Sequence, residues 1–194
     1  MPVKCGTCER PMDVPVFCGN CSALALANEA DYFQLLNQPR QFDVDPARLR
    51  QAYLNVSREI HPDRFAGKSD DVAQLSLRVS SQINRAFEVL SDPLRRAEYL
   101  LELSGGKSAS EDKSVSPAVL AEALELREEI DDARARGDTA ALGDVRRRLE
   151  ARRERRTDEI AALARALPGD ESLRNQMRIT LNDVKYDLRM LEQV

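Results

Sequence analysis

The sequence predicts an all-α protein with a small cysteine-bearing module at its N-terminus, and three observations carry that prediction. The composition is that of exposed helices: 32% of residues are charged, 5% are aromatic and tryptophan is absent. Apolar residues recur every three or four positions through most of the chain, which gathers them on one face of a helix. All four cysteines, by contrast, lie within residues 1–24, beside prolines at 2, 11 and 15, in a stretch without that period. At 194 residues there is room for two modest helical domains and an appendage. The formal net charge of −4 argues against a nucleic-acid partner, which needs a basic face to neutralise phosphates. No apolar run approaches the ~18 residues of a membrane span. The opening Met-Pro-Val-Lys-Cys-Gly resembles neither a signal peptide nor a transit helix. A soluble cytoplasmic protein is the expectation.

In the first module, residues 1–28, Cys5-Gly-Thr-Cys8 and Cys18-Gly-Asn-Cys21 form two C-x-x-C knuckles nine residues apart. Four thiolates in two tight turns match a tetrahedral Zn(Cys)4 site, and Gly6 and Gly19 ease the turns. The gap is shorter than in a typical zinc ribbon but long enough for a small loop. Iron in a rubredoxin-like site or a labile cluster is the alternative metal. Two disulfides are the competing covalent reading, which a cytoplasmic location disfavours. A redox C-x-x-C pair lacks the βαβ surroundings it needs. With almost no core of its own, the segment is expected to fold only around metal.

Residues 31–104 read as a second block. Tyr32, Phe33, Leu35 and Leu36 suggest a short helix over 31–37. Leu49, Tyr53, Val56 and Ile60 then keep helical spacing, with Pro46 after Asp45 at the start. Val72, Leu75, Val79, Ile83, Ala86 and Leu90 continue in a longer helix, and Leu94, Ala97, Leu100 and Leu101 mark a fourth. Pro62 disfavours helical geometry at His61, so the second helix should stop there. The result is a helical hairpin displaying His61-Pro62-Asp63 at its tip. General acid–base work needs a histidine held in a pocket beside a substrate, and this one is the only histidine in the chain, on a polar tip. The bland alternative is a loop histidine capping the last carbonyls of its own helix. Against it stand the cations Arg48, Arg50, Arg58, Arg64 and Lys68, clustered on that helix and its exit.

The hairpin with His-Pro-Asp at its tip, followed by Ile83-Asn84-Arg85-Ala86-Phe87-Glu88-Val89-Leu90-Ser91-Asp92-Pro93, resembles the J-domain, the co-chaperone module that activates DnaK-class heat-shock ATPases. The resemblance implies docking: the basic helix meets an acidic groove on the ATPase domain, and the tip engages contacts of the ATPase's interdomain linker. On that reading His61 triggers hydrolysis in another protein and the chain is not itself an enzyme. Long-range attraction would chiefly speed encounter. Arg95-Arg96-Ala97-Glu98-Tyr99-Leu100-Leu101, with Leu124-Glu125-Leu126-Arg127-Glu128-Glu129-Ile130, is similar to the HscB family, the J-proteins of iron–sulfur cluster assembly. This second resemblance covers residues 31–194. It implies a C-terminal three-helix bundle that binds the cluster scaffold IscU and delivers it to an HscA-type chaperone. Longer members of that family also resemble this chain in carrying an N-terminal tetracysteine element.

Residues 105–116, rich in Gly and Ser with no apolar period, read as a flexible linker before the bundle, residues 117–194. Val119, Ala123, Leu126, Ile130 and Ala133 form a seam on its first helix. Leu120, Ala121, Leu124, Glu125 and Glu128 fall on the other side. In the last helix Leu173, Met177, Leu181, Val184, Leu188 and Leu191 make the seam, and Ile179 falls roughly opposite. If the first and third helices start at one end, Leu120, Leu124 and Ile179 form an exposed apolar patch, which commonly marks a partner site. Isolated exposed leucines, or packing on the preceding domain, are the plainer readings. The off-seam positions coincide with those where the HscB family places its scaffold-binding residues, although Ala121 and Ile179 are smaller than its usual Met and aromatics. The arginine runs at 146–148 and 152–156 interleave with Glu150, Glu154, Asp158 and Glu159 and read as a solvated, salt-bridged face. A general J-protein with an oligomerising or client-binding bundle is the second reading, and an enzyme with His61 as base the third.

Overall fold

The computed structural model describes residues 3–194, so the first two residues of the expected 1–28 module lie outside the described residues. Among the described residues the chain forms seven α-helices, one 3-10 turn and a two-stranded ribbon. It divides into two compact units, the first ending at Arg96 and the second spanning Ala97–Val194.

In the first unit, β1 (Val3–Lys4) pairs antiparallel with β2 (Pro11–Met12), Val3 opposite Met12 and Lys4 opposite Pro11. Isolated bridges join Phe17 to Val14 and to Leu24. Strands this short have no independent stability, and the core beneath them is little more than Cys5, Met12 and Cys18. Helix α1 (Tyr32–Leu35) starts in a capping box, in which Asp31 accepts from the Gln34 amide and the Gln34 side chain accepts from the Asp31 amide. It is a turn shorter than its apolar residues predict, because Asn37 adopts a left-handed φ of 48° that no helix continues through. Asp45 caps α2 (Pro46–Ile60), and Pro46 occupies the first turn, where a missing N–H costs nothing. Helix α2 buries Leu49, Val56 and Ile60 against α3 (Asp70–Ser91), which buries Val79, Ile83, Ala86, Val89 and Leu90. Each of the Val, Leu and Ile side chains among them contributes about 1.5–3 kcal/mol on leaving water. Tyr53 stacks on Phe87 at 4.3 Å between centroids, and its hydroxyl donates to Asn84. Asp92 then accepts from the amides of Leu94 and Arg95 to start α4 (Pro93–Leu103), within which the two units divide. Arg96 is buried, 5.1 Å from the Phe42 ring centroid, and donates to the carbonyls of Phe42 and Leu90.

The second unit is a three-helix bundle of α5 (Pro117–Arg136), α6 (Thr139–Arg165) and α7 (Glu171–Leu191). Ser116, Asp138 and Asp170 cap the three helices, and Gly137 ends α5 at φ 66°, a conformation a β-carbon resists. Ion pairs Arg148–Glu129 and Arg152–Glu122 show α6 running antiparallel to α5. The five seam residues expected on α5 are all buried. On α6 the seam passes from Val145 and Leu149 through Arg152 and Arg156 to Ile160, so two arginines stand where a bundle normally places leucine. Both pair with Asp187 of α7, which is 0% exposed. The sequence predicts a solvated, salt-bridged face for the arginine runs; Arg147 and Arg148 do pair at the surface, but Arg152 and Arg156 reach inward.

Helix α7 is buried over far more of its girth than its apolar seam predicts. Arg178, only 1% exposed, donates to Glu98 at 2.9 Å, and Lys185 donates to the same carboxylate at 2.7 Å. Asn182 donates to the carbonyls of Asp112 and Ser114, and Asp183 accepts from the Ser116 amide.

Candidate functional site

The tip of the α2–α3 hairpin is built from both helices. The last carbonyl of α2, on Ile60, accepts from Ser76 Oγ of α3 at 2.7 Å in a buried setting, and Ser80 Oγ lies at 3.5 Å. The histidine is therefore not what satisfies the helix end. Instead His61 Nδ1 accepts from the Asp63 amide at 3.3 Å, capping the 3-10 turn Pro62–Phe65 that follows. A neutral ring that accepts at Nδ1 carries its proton on Nε2, directed away from the turn. The His61 side chain is 57% exposed, with the Asp63 carboxylate 3.5 Å from Nδ1, while Phe65 is buried beneath and anchors the loop. Arg58, Arg64 and Lys68 are exposed close to it in the chain, and Arg48 and Arg50 are exposed at the other end of α2. Arg64 pairs with Glu59 at 2.7 Å and Arg48 lies 3.6 Å from Asp45. Arg50, Arg58 and Lys68 make no ion pair among the described residues, which leaves Arg58 and Lys68 uncompensated beside the tip and Arg50 uncompensated about 15 Å back along α2.

The four cysteines are free thiols whose Sγ atoms all lie within 4.8 Å of one another. Cys5 and Cys21 are 3.6 Å apart, as are Cys8 and Cys18. Four sulfurs each about 2.3 Å from a central zinc would stand about 3.8 Å apart, so the spacing fits a tetrahedral metal site and is far from the ~2.05 Å of a disulfide. The donor set is soft, and backbone amides already point at it: Thr7 N–H donates to Cys5 Sγ at 3.4 Å. Amides of Thr7 and Cys8 pull the Cys5 thiol down to about 6. Cys21 is pushed up to about 12: the Ala23 amide favours its thiolate, but burial and the Cys5, Cys8 and Cys18 thiols oppose it more. Four like charges in so small a volume need a cation among them, and the cluster could hold a metal ion. A groove of about 1010 Å³ lies between this module and α2, lined among others by Val14, Phe17, Asn20, Ala52, Val56 and Arg64.

On α5 the off-seam residues lie together on one exposed face. Leu120 is 46% and Leu124 65% exposed, with Ala121, Glu125 and Glu128 exposed beside them. Ile179 is half-buried. Ser116, at the start of α5, bonds Asp183, and Arg134 near its end bonds the Gln193 carbonyl, so α5 and α7 run parallel but out of step. Ile179 thus sits about one turn below the start of α5, whereas Leu124 sits two turns above it. The structure brings the two leucines and their glutamates together and leaves Ile179 apart. Sequence reasoning missed Ser76 and Glu59 at the tip. Ser76 replaces an apolar residue on the buried face of α3, and Glu59 precedes Arg64 by five residues, so neither carries a local signal.

Residues 31–99 match the family model described as the DnaJ domain, and residues 115–194 match the HSCB C-terminal oligomerisation domain. The chain is 43% identical over 132 residues to the co-chaperone protein HscB of Proteus mirabilis, covering 67% of this chain and 76% of that protein. It is 38% identical over 145 residues to an HscB homolog of an Azoarcus species, covering 74% and 80%. Among solved structures it superposes on human co-chaperone HscB with a TM-score of 0.79 at 27% identity, over 98% of this chain and 95% of that one. It superposes on chaperone HscB from Vibrio cholerae with a TM-score of 0.68 at 30% identity, over 84% and 94%. Coverage of 98% extends the human likeness into the cysteine module. No helix among the described residues is long and apolar enough to cross a membrane. With a J-type hairpin, a matching C-terminal bundle and an N-terminal cluster of four cysteines, this chain belongs to the HscB family of co-chaperones.

Proposed function

We propose that the chain is a cytoplasmic co-chaperone of iron–sulfur cluster biogenesis that binds an IscU-type scaffold and stimulates the ATPase of an HscA/DnaK-class chaperone. The observation that carries this reading is the tip: Ser76 satisfies the end of α2, which frees the His61 ring to face outward at the end of a helix that carries uncompensated cations. Docking then needs no chemistry from the chain itself. Arg50, Arg58 and Lys68 attract an acidic surface and speed encounter. His61, Pro62 and Asp63, preformed by the Nδ1 bond and by Phe65, contact the ATPase and shift it towards hydrolysis. Arg48 and Arg64 complete the basic surface.

The scaffold binds the exposed face of α5, where Leu120 and Leu124 supply apolar contact and Glu125 and Glu128 orient it, with Ala121 between them and Ile179 at the margin. Two adjacent large apolar side chains ringed by acids make a patch that favours a protein partner over solvent. Cys5, Cys8, Cys18 and Cys21 hold a structural zinc, which supplies the core that the module lacks; iron is the alternative occupant. A general J-protein whose bundle serves self-association is the second reading, favoured by the description of the C-terminal family model.

Chaperone ATPase turnover tests the first half of this reading. The native chain should raise turnover several-fold, and His61→Gln should abolish the rise while leaving the helical circular-dichroism signal unchanged. Stimulation by His61→Gln at the native level would remove the role given to the tip.

A further inference from the structure

The two cysteine knuckles repeat one backbone pattern. The Cys5 amide donates to the Arg10 carbonyl and the Glu9 amide to the Cys5 carbonyl; the Cys18 amide donates to the Ala23 carbonyl and the Ser22 amide to the Cys18 carbonyl. Glu9 and Ser22, each next after a second cysteine, both take a φ of 58°. Cys5, Thr7, Cys8 and Arg10 therefore correspond to Cys18, Asn20, Cys21 and Ala23. Thr7 matches Asn20, and Arg10 matches Ala23. The symmetry breaks at these pairs, and the two longer polar residues, Asn20 and Arg10, meet each other. Arg10 donates to Asn20 Oδ1 at 2.8 Å, and Asn20 Nδ2 reaches across to Cys8 Sγ at 3.6 Å.

The direction of this bridge follows from its donors. A guanidinium has no acceptor, so Arg10 bonds only the carbonyl end of the Asn20 amide and turns its NH2 end towards the sulfur. Cys8 thereby gains a donor from the opposite knuckle, while among the described residues its counterpart Cys21, the exposed member of the four, has no such amide side chain on it. A donor that bonds a ligand rather than the metal fixes that ligand's orientation and lowers its tendency to leave.

We propose that Asn20, aimed by Arg10, is a positioning residue for the metal centre: it clamps the two knuckles together and holds Cys8 in place, so that the centre opens from the Cys21 side. This rests on the reading of the four cysteines as a metal site. Nothing in the sequence marks Asn20 for it, since its place in a C-x-x-C turn suits any small residue that tolerates the turn.

The test uses the full chain loaded with cobalt(II), whose thiolate charge-transfer band reports the sulfur environment, and follows metal release to a colorimetric chelator. Native protein should bind one equivalent with tetrathiolate bands; a chain that binds none overturns the metal reading itself, and this inference with it. Asn20→Ala should release metal about tenfold faster, within the range that losing a ligand's hydrogen-bond partner commonly produces, and shift the charge-transfer band to lower energy. Arg10→Ala should show the same band shift at reduced size, because the amide remains but is no longer aimed; this second variant keeps the test decisive if Asn20→Ala does not fold. Asn20→Gln, which keeps the amide, should recover part of the native rate. Release at the native rate, or faster release with an unshifted band in both alanine variants, would overturn the assignment.

Discussion

Arginine does opposite work on the α2 hairpin and in the interior of the bundle. On α2 and the loop after it, Arg48, Arg50, Arg58 and Arg64 stand in solvent, and at most a neighbouring acid answers them. In the bundle, Arg152, Arg156 and Arg178 enter the interior and close on Asp187 and Glu98. The residue type and helical spacing are alike; the difference lies in what faces them. An exposed cation is free to serve another protein, whereas a buried one is committed to its own fold, because an unanswered charge away from water is strongly destabilising.

The largest expected effect breaks the buried side of this contrast. Asp187→Ala leaves the inward-facing Arg156 without an acid and Arg152 with only the exposed Glu122, and urea unfolding should show a loss of about 3–5 kcal/mol. Replacing Asp187, Arg152 and Arg156 together by leucine or methionine should cost less than the single change, since apolar residues of similar size fill the same seam. A triple variant less stable than Asp187→Ala would mean that the cluster is a net stabiliser.

The apolar counterpart is next. Leu120→Ala with Leu124→Ala removes contacts that solvent already reaches, so unfolding should move by less than about 1 kcal/mol, while scaffold affinity measured by calorimetry should fall at least tenfold. Unchanged affinity would take the scaffold site off α5.

Glu98 gives a smaller, pH-dependent effect. Burial opposes its charge, but hydrogen bonds from Lys185 and Arg178 prevail and hold it below the usual carboxylate range. A depressed carboxylate contributes stability above its unfolded value, near pH 4.3, and that contribution is lost as pH falls through the lower folded value. The stability gap between the native chain and Glu98→Gln should therefore be widest near neutrality and close on acidification below about pH 4. A gap that widens on acidification would contradict the pairing.

The smallest effect on stability belongs to the exposed cations. Arg50→Ala and Arg58→Ala should stay within about 0.5 kcal/mol of native. Their signature is kinetic: slower association with the chaperone and a shallower salt dependence, read by stopped flow.

The same contrast explains how much was legible in the sequence. Helices, hairpin, cysteine knuckles and the α5 seam were, because each is written in local spacing: Pro62 stops α2 and Val119 to Ala133 keep one face. The exposed leucines of α5 followed from that face by exclusion. What the sequence hid depends on partners distant along the chain. Arg152 and Arg156 look solvated until Asp187 is placed opposite, 31 residues from Arg156. The buried polar side of α7 needs Glu98, 80 residues from Arg178, and the carbonyls of Asp112 and Ser114. Asn37 cut α1 short through a backbone angle that no periodicity encodes.

The central claim is that one chain joins an exposed J-type tip to a scaffold-presenting face. Chaperone ATPase turnover, measured against scaffold concentration for the native chain and for Leu120→Ala with Leu124→Ala, tests it most directly. Scaffold and native chain should stimulate together by more than the product of their separate effects, and the double variant should keep its own stimulation but lose this synergy. Undiminished synergy in the double variant, or none with the native chain, would contradict it.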